Sequence, residues 1–464
     1  MIHVNKKIFY LIGIGGVGMA GIAEILLNLG CKVYGSDICK TKLTDYLSSI
    51  GAVIYIGHSV NNIRYIKTID IVIVSSAIHT NNIELQFAID KKLNVITRAK
   101  MLSTLAKGNE LITISGTHGK TTVSAMIAFA MQHAKLDPTF IIGGKFKNTN
   151  SGAKLGHSKY IVIESDESDG SFLNFEPVIT VVTNIDNDHL ENYDNNLNNL
   201  KNAFLSHINK IPLDGVAFLC SDNTHLLDLI NSNKIKVKYI TYGLQNNPNI
   251  KAINIQRSNH FTYFDVQYMG EIIGHYGIPI LGIHNVLNSL PVIGVCSWLK
   301  IPNELVIQSI KQFNGTSRRL EIKSKTKGVT IIDDYGHHPT EIIVSIKAIK
   351  DLWPQSRLIV LFQPHRYTRT KNLLYEFSRS FVYADLIFIL DIYSAGESKI
   401  LDVTSELILN ELKRHEYNVK KFTNITDLIS IIRYNDIILT IGAGDIWQLS
   451  DNLVEAIQNT TYVK

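Results

Sequence analysis

Short apolar runs recur along this chain, each ending in a cluster of glycine, hydroxyl, amide or acidic residues, and stretches of helical spacing separate them. Residues 8–14, 69–74, 111–114, 160–163, 178–183, 331–332, 358–362, 386–390 and 437–441 are such runs. Continuous rather than alternating hydrophobicity marks strands covered on both faces. Alternation with helical stretches then predicts an α/β fold built on parallel sheets. Open parallel sheets bind ligands beyond the carboxyl ends of their strands, so the polar clusters are where chemistry is expected.

The run at 111–114 breaks into Ser115-Gly116-Thr117-His118-Gly119-Lys120-Thr121-Thr122, with a helical stretch from Val123 onward. Backbone N–H groups of such a turn converge on one anion. Lys120 adds positive charge, and the Thr121 hydroxyl can reach a metal. The pattern is a shortened phosphate loop, because Ile114 stands where the first glycine of the long form would be. It predicts a triphosphate site of Gly116, Thr117, His118, Gly119, Lys120, Thr121 and Thr122; the plainer alternative is a tight turn with a surface lysine.

Residues 8–37 read as strand, glycine loop, helix from about residue 19 to 29, and strand at 32–35. Gly13, Gly15 and Gly18 satisfy GxGxxG, and Asp37 stands near the position of a ribose-binding acid. Alone this predicts NAD, but such a loop holds any diphosphate, and Gly16 and Gly21 broaden it. After the phosphate loop, the strand at 160–163 ends in Glu164, the type of residue that holds magnesium beside a triphosphate. The strand at 178–183 leads to Asn184-Ile185-Asp186-Asn187-Asp188-His189, where His189 is either a metal ligand or structural. Residues 190–280 read as short strands and polar loops with little chemistry. Residues 282–288 (GIHNVLN) are either a capped helix start or an adenine or ribose contact.

Near residue 315 the composition turns polar (NGTSRR), as in a linker. The strands beyond it end in DDYGHHP, QPHRYTR, DIYSAGE and GAGD, which should line one edge of one sheet. Arg366 and Arg369 suit a carboxylate or a phosphate. His337 and His338 read as a turn before Pro339 rather than zinc ligands, since no matching ligand set accompanies them.

A length of 464 residues favours three domains, drawn at 1–100, 101–315 and 316–464: Rossmann-like, central P-loop ATPase-type, and Rossmann-like again. A net charge of +5 without a long basic run argues against a nucleic-acid arm. The four cysteines make no CxxC pair, consistent with the reducing cytoplasm. Lys6, Lys7 and the apolar run after them imitate a signal peptide, but glycines interrupt the run, and no stretch is long enough to insert into a membrane. One phosphate-loop lysine among three nucleotide-type sheets implies a single cleaved triphosphate, hence kinase or ligase chemistry rather than redox.

GIGGVGMAGIAEIL, SGTHGKTT, ESDESDGSF, TNIDNDHLENY, HNVLN, TSRRLE, DDYGHHPTEI, QPHRYTRT and IGAGDIW, in this order, resemble the Mur ligase family over essentially the whole chain. The resemblance implies ATP- and magnesium-dependent amide formation in peptidoglycan synthesis: L-alanine joined to the lactoyl carboxylate of UDP-N-acetylmuramate through an acyl phosphate. Carried over residue by residue, Lys120 contacts the β- and γ-phosphates, Thr121 and Glu164 hold one magnesium, and His189 a second. Asn285, Arg318 and Asp334 contact ATP. Gly15, Gly16, Gly18 and Asp37 cradle the UDP moiety instead of NAD. Tyr335, His337, Arg366 and Arg369 face the amino acid, with His337 the candidate base. Lys201 invites comparison with the carbamylated lysine of several members but takes no assignment. A monomer or homodimer is expected. The rivals are a murein tripeptide ligase of the same family, folylpolyglutamate synthase, an NAD-dependent oxidoreductase, and a non-enzymatic nucleotide-binding module.

Overall fold

The computed structural model describes residues 6–149, 151–188, 190–258 and 261–459. The chain divides into two compact units, Met1–Pro279 with Val286–Asn314, and Ile280–Asn285 with Gly315–Lys464. Among the described residues, no helix is long and apolar enough to cross a membrane.

The first unit carries two sheets. One is parallel and five-stranded, in the order Val53–Ile56, Lys32–Asp37, Ile8–Ile12, Ile71–Val74, Val95–Thr97. Its first strand stops at Ile12 rather than running to residue 14, because Gly13 takes φ +80° and turns the chain out of the sheet. Gly16 then caps the helix Val17–Asn28, which begins two residues earlier than its apolar face foretells.

The other sheet has ten strands. Its core sets Glu110–Ser115 between Tyr160–Glu164 and Ile179–Val182, all three parallel, so their carboxyl ends meet at one edge. The segment expected to hold only short strands and loops also contains the helices Leu197–Ile208 and Thr224–Asn231. Asparagines cap both, the Asn196 and Asn223 side chains each accepting a first-turn N–H. An antiparallel meander of Ile250–Ser258, Phe261–Tyr268 and Glu271–Ile278 ends the sheet.

The second unit holds a six-stranded sheet ordered Glu321–Thr326, Val329–Asp334, Ile437–Ile441, Leu358–Phe362, Leu386–Ile389, Val419–Lys421. Only the first of these pairs antiparallel. Along the central strand Leu358, Val360 and Phe362 pack into one apolar layer, and Ile359 and Leu361 into the opposite one. A strand buried on both faces leaves few positions for polar side chains, which is why this one reads as an unbroken apolar run.

Candidate functional site

In the first unit, the chain leaves Glu110–Ser115 and enters the helix Lys120–His133 through Gly116 (φ +122°) and Gly119 (φ +83°). A Cβ on Gly116 would collide with Thr183 Oγ1 and lie 2.8 Å from the Asn184 carbonyl, so only glycine fits there. The neighbouring loop shapes the turn. Asn184 Oδ1 accepts from His118 N at 2.8 Å, Thr183 Oγ1 donates to His118 O at 2.6 Å, and Asp186 N donates to Thr117 Oγ1 at 2.9 Å. The His118 ring meets Asp186 at 2.9 Å. Residues 183–186, expected near a metal, thus brace the phosphate loop. His189 lies outside the described residues.

Lys120 Nζ donates to Gly116 O (2.6 Å), Thr117 O (3.3 Å) and Glu167 Oε2 (2.7 Å). Burial works against its charge, but Glu167 and Asp166 outweigh burial and hold the ammonium above the usual lysine range. Burial in turn pushes the Glu167 carboxyl up while Lys120 draws it down. Beside this pair, Thr121 Oγ1 donates to Glu164 Oε1 at 2.9 Å, and Gly143 N donates to Glu164 Oε2 at 2.7 Å. A hydroxyl and a carboxylate brought together at the end of a phosphate loop form a hard oxygen donor set that fits magnesium. Thr122 is buried in the first turn of the helix. Lys201 Nζ pairs with Asp228 at 2.9 Å, a contact that a carbamate would turn into repulsion.

The five-stranded sheet carries the glycine loop. Asp37 Oδ2 accepts from Gly15 N at 2.8 Å, and a Cβ on Gly15 would sit 2.9 Å from that oxygen. Around Gly16 there is room, the nearest atom to an added Cβ being Gly13 O at 3.6 Å. The Arg98 guanidinium packs directly over Gly18 and faces Asp166 at 3.9 Å. Sequence reasoning missed Arg98, Glu167 and the fully buried Glu84. The last gathers Ser36, His58 (3.1 Å), Ser59 N (3.0 Å) and Asn62 (2.7 Å) beneath the ends of these strands. Its available signal was the Asn82 cap two residues before it.

In the second unit, two guanidiniums lie over the Tyr335 ring, those of Arg318 at 5.1 Å and Arg319 at 5.2 Å from its centre. Its ring meets His337 edge-on at 5.5 Å, and His337 lies 5.6 Å from His365. Arg318 is itself anchored: Nε donates to Asp333 (3.1 Å), Nη1 to Gly444 O (3.1 Å) and Nη2 to Gly442 O (2.5 Å). Asp334 accepts from Leu320 N and Gly336 N, both at 2.7 Å. Burial lifts its pKa to about 6 despite Arg319 nearby. Asn285 is buried and donates to Leu281 O at 2.6 Å. His338 caps the helix Pro339–Leu352 in a capping box with Glu341, the role expected of a turn before Pro339. Arg366 takes φ +70° at the start of the helix Tyr367–Asn372, and the buried Arg369 turns Nη1 toward His365 Nδ1 at 3.2 Å. The structure therefore gathers Tyr335, His337, Arg366 and Arg369 at the carboxyl edge of one sheet.

Family models match along the chain in three pieces: the Mur ligase family catalytic domain at residues 8–110, the Mur ligase middle domain at 114–296, and the Mur ligase glutamate ligase domain at 318–444. The UDP-N-acetylmuramate--L-alanine ligase of Endomicrobium trichonymphae is 50% identical over 453 residues, covering 98% of this chain and 99% of that protein. The enzyme of the same name from Geotalea uraniireducens (strain Rf4) is 42% identical over 456 residues, covering 97% and 98%. Among solved structures, a UDP-N-acetylmuramate-alanine ligase, MurC, from Thermotoga maritima superposes with a TM-score of 0.83 at 28% identity, covering 97% of this chain and 99% of that one. A murein peptide ligase from Psychrobacter arcticus shares the fold, with a TM-score of 0.72 at 20% identity and coverage of 98% and 100%.

Proposed function

We infer the reaction from one premise: the chain belongs to the Mur ligase family. It is a ligase that joins L-alanine to UDP-N-acetylmuramate in peptidoglycan synthesis, and it uses ATP. A carboxylate is a poor electrophile at neutral pH. Transfer of the γ-phosphate to the lactoyl carboxylate makes an acyl phosphate, which the alanine amine attacks, releasing phosphate. Two anions must approach one another in the first step, so positive charge at the phosphate loop is the main requirement. The Lys120 ammonium, held charged beside Thr121 and Glu164, is the observation that carries this reading.

Each part of the chain then has a task. The turn from Gly116 to Thr122 orients the triphosphate through its N–H groups. Thr121 and Glu164 would hold a magnesium ion, which when bound neutralises phosphate charge. Gly15, Gly16, Gly18 and Asp37 take the UDP moiety, and Asn285, Arg318 and Asp334 border the nucleotide. Arg366 and Arg369 receive the alanine carboxylate. His337 is the candidate base: Nδ1 lies 3.2 Å from the Tyr335 carbonyl, and an N–H donated there leaves the Nε2 lone pair to take a proton from the ammonium. The use of ATP and a free amino acid fits a cytoplasmic reaction, as do four cysteines that form no disulfide.

Phosphate release from ATP with UDP-N-acetylmuramate, comparing L-alanine, L-serine, glycine and the murein tripeptide, tests the reading. Release should require both the sugar nucleotide and alanine. Release with the tripeptide alone would assign the protein to peptide recycling, and no release with any pair would sink the ligase reading.

A further inference from the structure

We propose that Glu397 is a positioning residue for the amino-acid substrate: it fixes the loop that presents Arg366 and, through that arginine, the grip on the substrate carboxylate. The proposal rests on the reading of Arg366 and Arg369 as the carboxylate site.

Strands Leu358–Phe362 and Leu386–Ile389 are parallel neighbours, so the loops leaving their carboxyl ends run side by side. They are stitched together by backbone. Tyr393 N donates to Pro364 O at 2.9 Å, Arg366 N donates to Tyr393 O at 2.8 Å, and His365 and Tyr393 form an isolated parallel bridge. Their rings stack at 5.6 Å and 13°. The second loop thus acts as a mould for the first.

Glu397 closes the mould. Its carboxylate accepts from Thr368 N at 3.1 Å and from Thr368 Oγ1 at 2.6 Å, which fixes the first turn of the helix that follows Arg366. The same carboxylate faces Arg366 Nε at 3.9 Å. Arg366 needs such support, because φ +70° is a conformation that a non-glycine residue holds only when its surroundings impose it. A carboxylate on the Nε side also orients the guanidinium plane, which sets the direction from which it can meet a second carboxylate. Glu397 touches no reacting atom in this scheme. It acts by placing a group that does.

The test compares the wild type with Glu397→Gln, Glu397→Asp and Glu397→Ala in steady-state kinetics, with L-alanine and L-alaninamide as alternative acceptors. Glu397→Ala should raise KM for L-alanine at least about tenfold, with KM for ATP and UDP-N-acetylmuramate within about twofold. Glu397→Gln keeps an acceptor for Thr368 but loses the charge facing Arg366, so it should fall between the wild type and Glu397→Ala; Glu397→Asp should recover part of the loss. The preference for L-alanine over its amide should shrink in step with KM. A merely structural role would instead lower the active fraction and kcat, leaving KM and the acid-to-amide preference unchanged, and that result overturns the proposal. A wild type that accepts the amide as readily as the acid overturns the carboxylate reading and this proposal with it. A discriminating wild type with equally discriminating variants overturns the proposal alone.

Discussion

Lys120 and Glu167 form an ion pair, 2.7 Å from Nζ to Oε2, with 13% and 2% of their side chains exposed. Removing one member of a buried pair strands the other's charge, at a cost of about 3–5 kcal/mol, whereas replacing both with neutral groups is far less costly. Lys120→Met should therefore abolish phosphate release and also lower the stability to urea. Adding Glu167→Gln to it should restore most of the stability and none of the activity. Equal stability of the single and double variants would show that the pair is not the source of the loss.

The Thr121 and Glu164 oxygens, 2.9 Å apart, set up a second prediction. Glu164→Gln keeps an oxygen for the Gly143 N–H but loses the charge that would face a cation. The magnesium concentration for half-maximal phosphate release should rise about tenfold or more, while calorimetric affinity for UDP-N-acetylmuramate stays unchanged. A magnesium titration that superposes on the wild type would remove Glu164 from the metal site.

The strands and their polar ends were legible because a strand buried on both faces writes a nearly continuous apolar run, as residues 358–362 do throughout and 437–441 do apart from Thr440. Starts of helices were less so. Lys120, Thr121 and Thr122 belong to the helix, not to the loop before it, because Gly119 turns the chain into a helix that starts three residues before the apolar stretch from Val123. Among candidate site residues, those that local spacing marks out, such as Gly116, Lys120 and Arg366, could be proposed from the sequence. Glu167 was not, since it lies in the acidic run ESDESD, where nothing local says which carboxylate turns inward to a lysine 47 positions away. Glu84 was hidden for the same reason: its partners Ser36 and His58 are assembled by the sheet, not by sequence neighbours.

Gly15 and Gly16 are adjacent but should respond differently to a methyl group. In Gly15→Ala the new Cβ would press on Asp37 Oδ2 at 2.9 Å and on Thr44 at 3.0 Å, so stability should fall by about 1–3 kcal/mol. Gly16 has φ −65° and open space around it, so Gly16→Ala should melt within about a degree or two of the wild type. If the UDP diphosphate approaches the Gly16 backbone, that stable variant should still lose affinity for UDP-N-acetylmuramate in calorimetry. Unchanged affinity would place the diphosphate elsewhere on the loop.

His207 gives the protein an acid-sensitive core. The fully buried imidazole lies 3.3 Å from Thr113 Oγ1 and 3.2 Å from Thr180 Oγ1, under the strand that feeds the phosphate loop, and packs on Phe172. Burial, with Lys210 nearby, drives its pKa from 6.5 to about 3. The folded state thus keeps the ring neutral where the unfolded chain takes up a proton. The stabilisation is present in full above pH 6.5 and is lost as pH falls toward 3, at up to about 1.4 kcal/mol per pH unit. His284, lowered to about 4 by burial and Arg319, acts in the same direction between pH 6.5 and 4. Asp334, raised to about 6, has the opposite sign: its contribution is full below pH 3.8 and disappears as pH rises through 6. His207→Leu isolates the first effect, because it removes that titration and leaves the other two in place. Urea unfolding at pH 7.5 and 5.5 should show the wild type's stability advantage over the variant shrinking by about 1.4 kcal/mol on acidification. An advantage that stays constant would mean that His207 is protonated, or solvated, inside the folded protein.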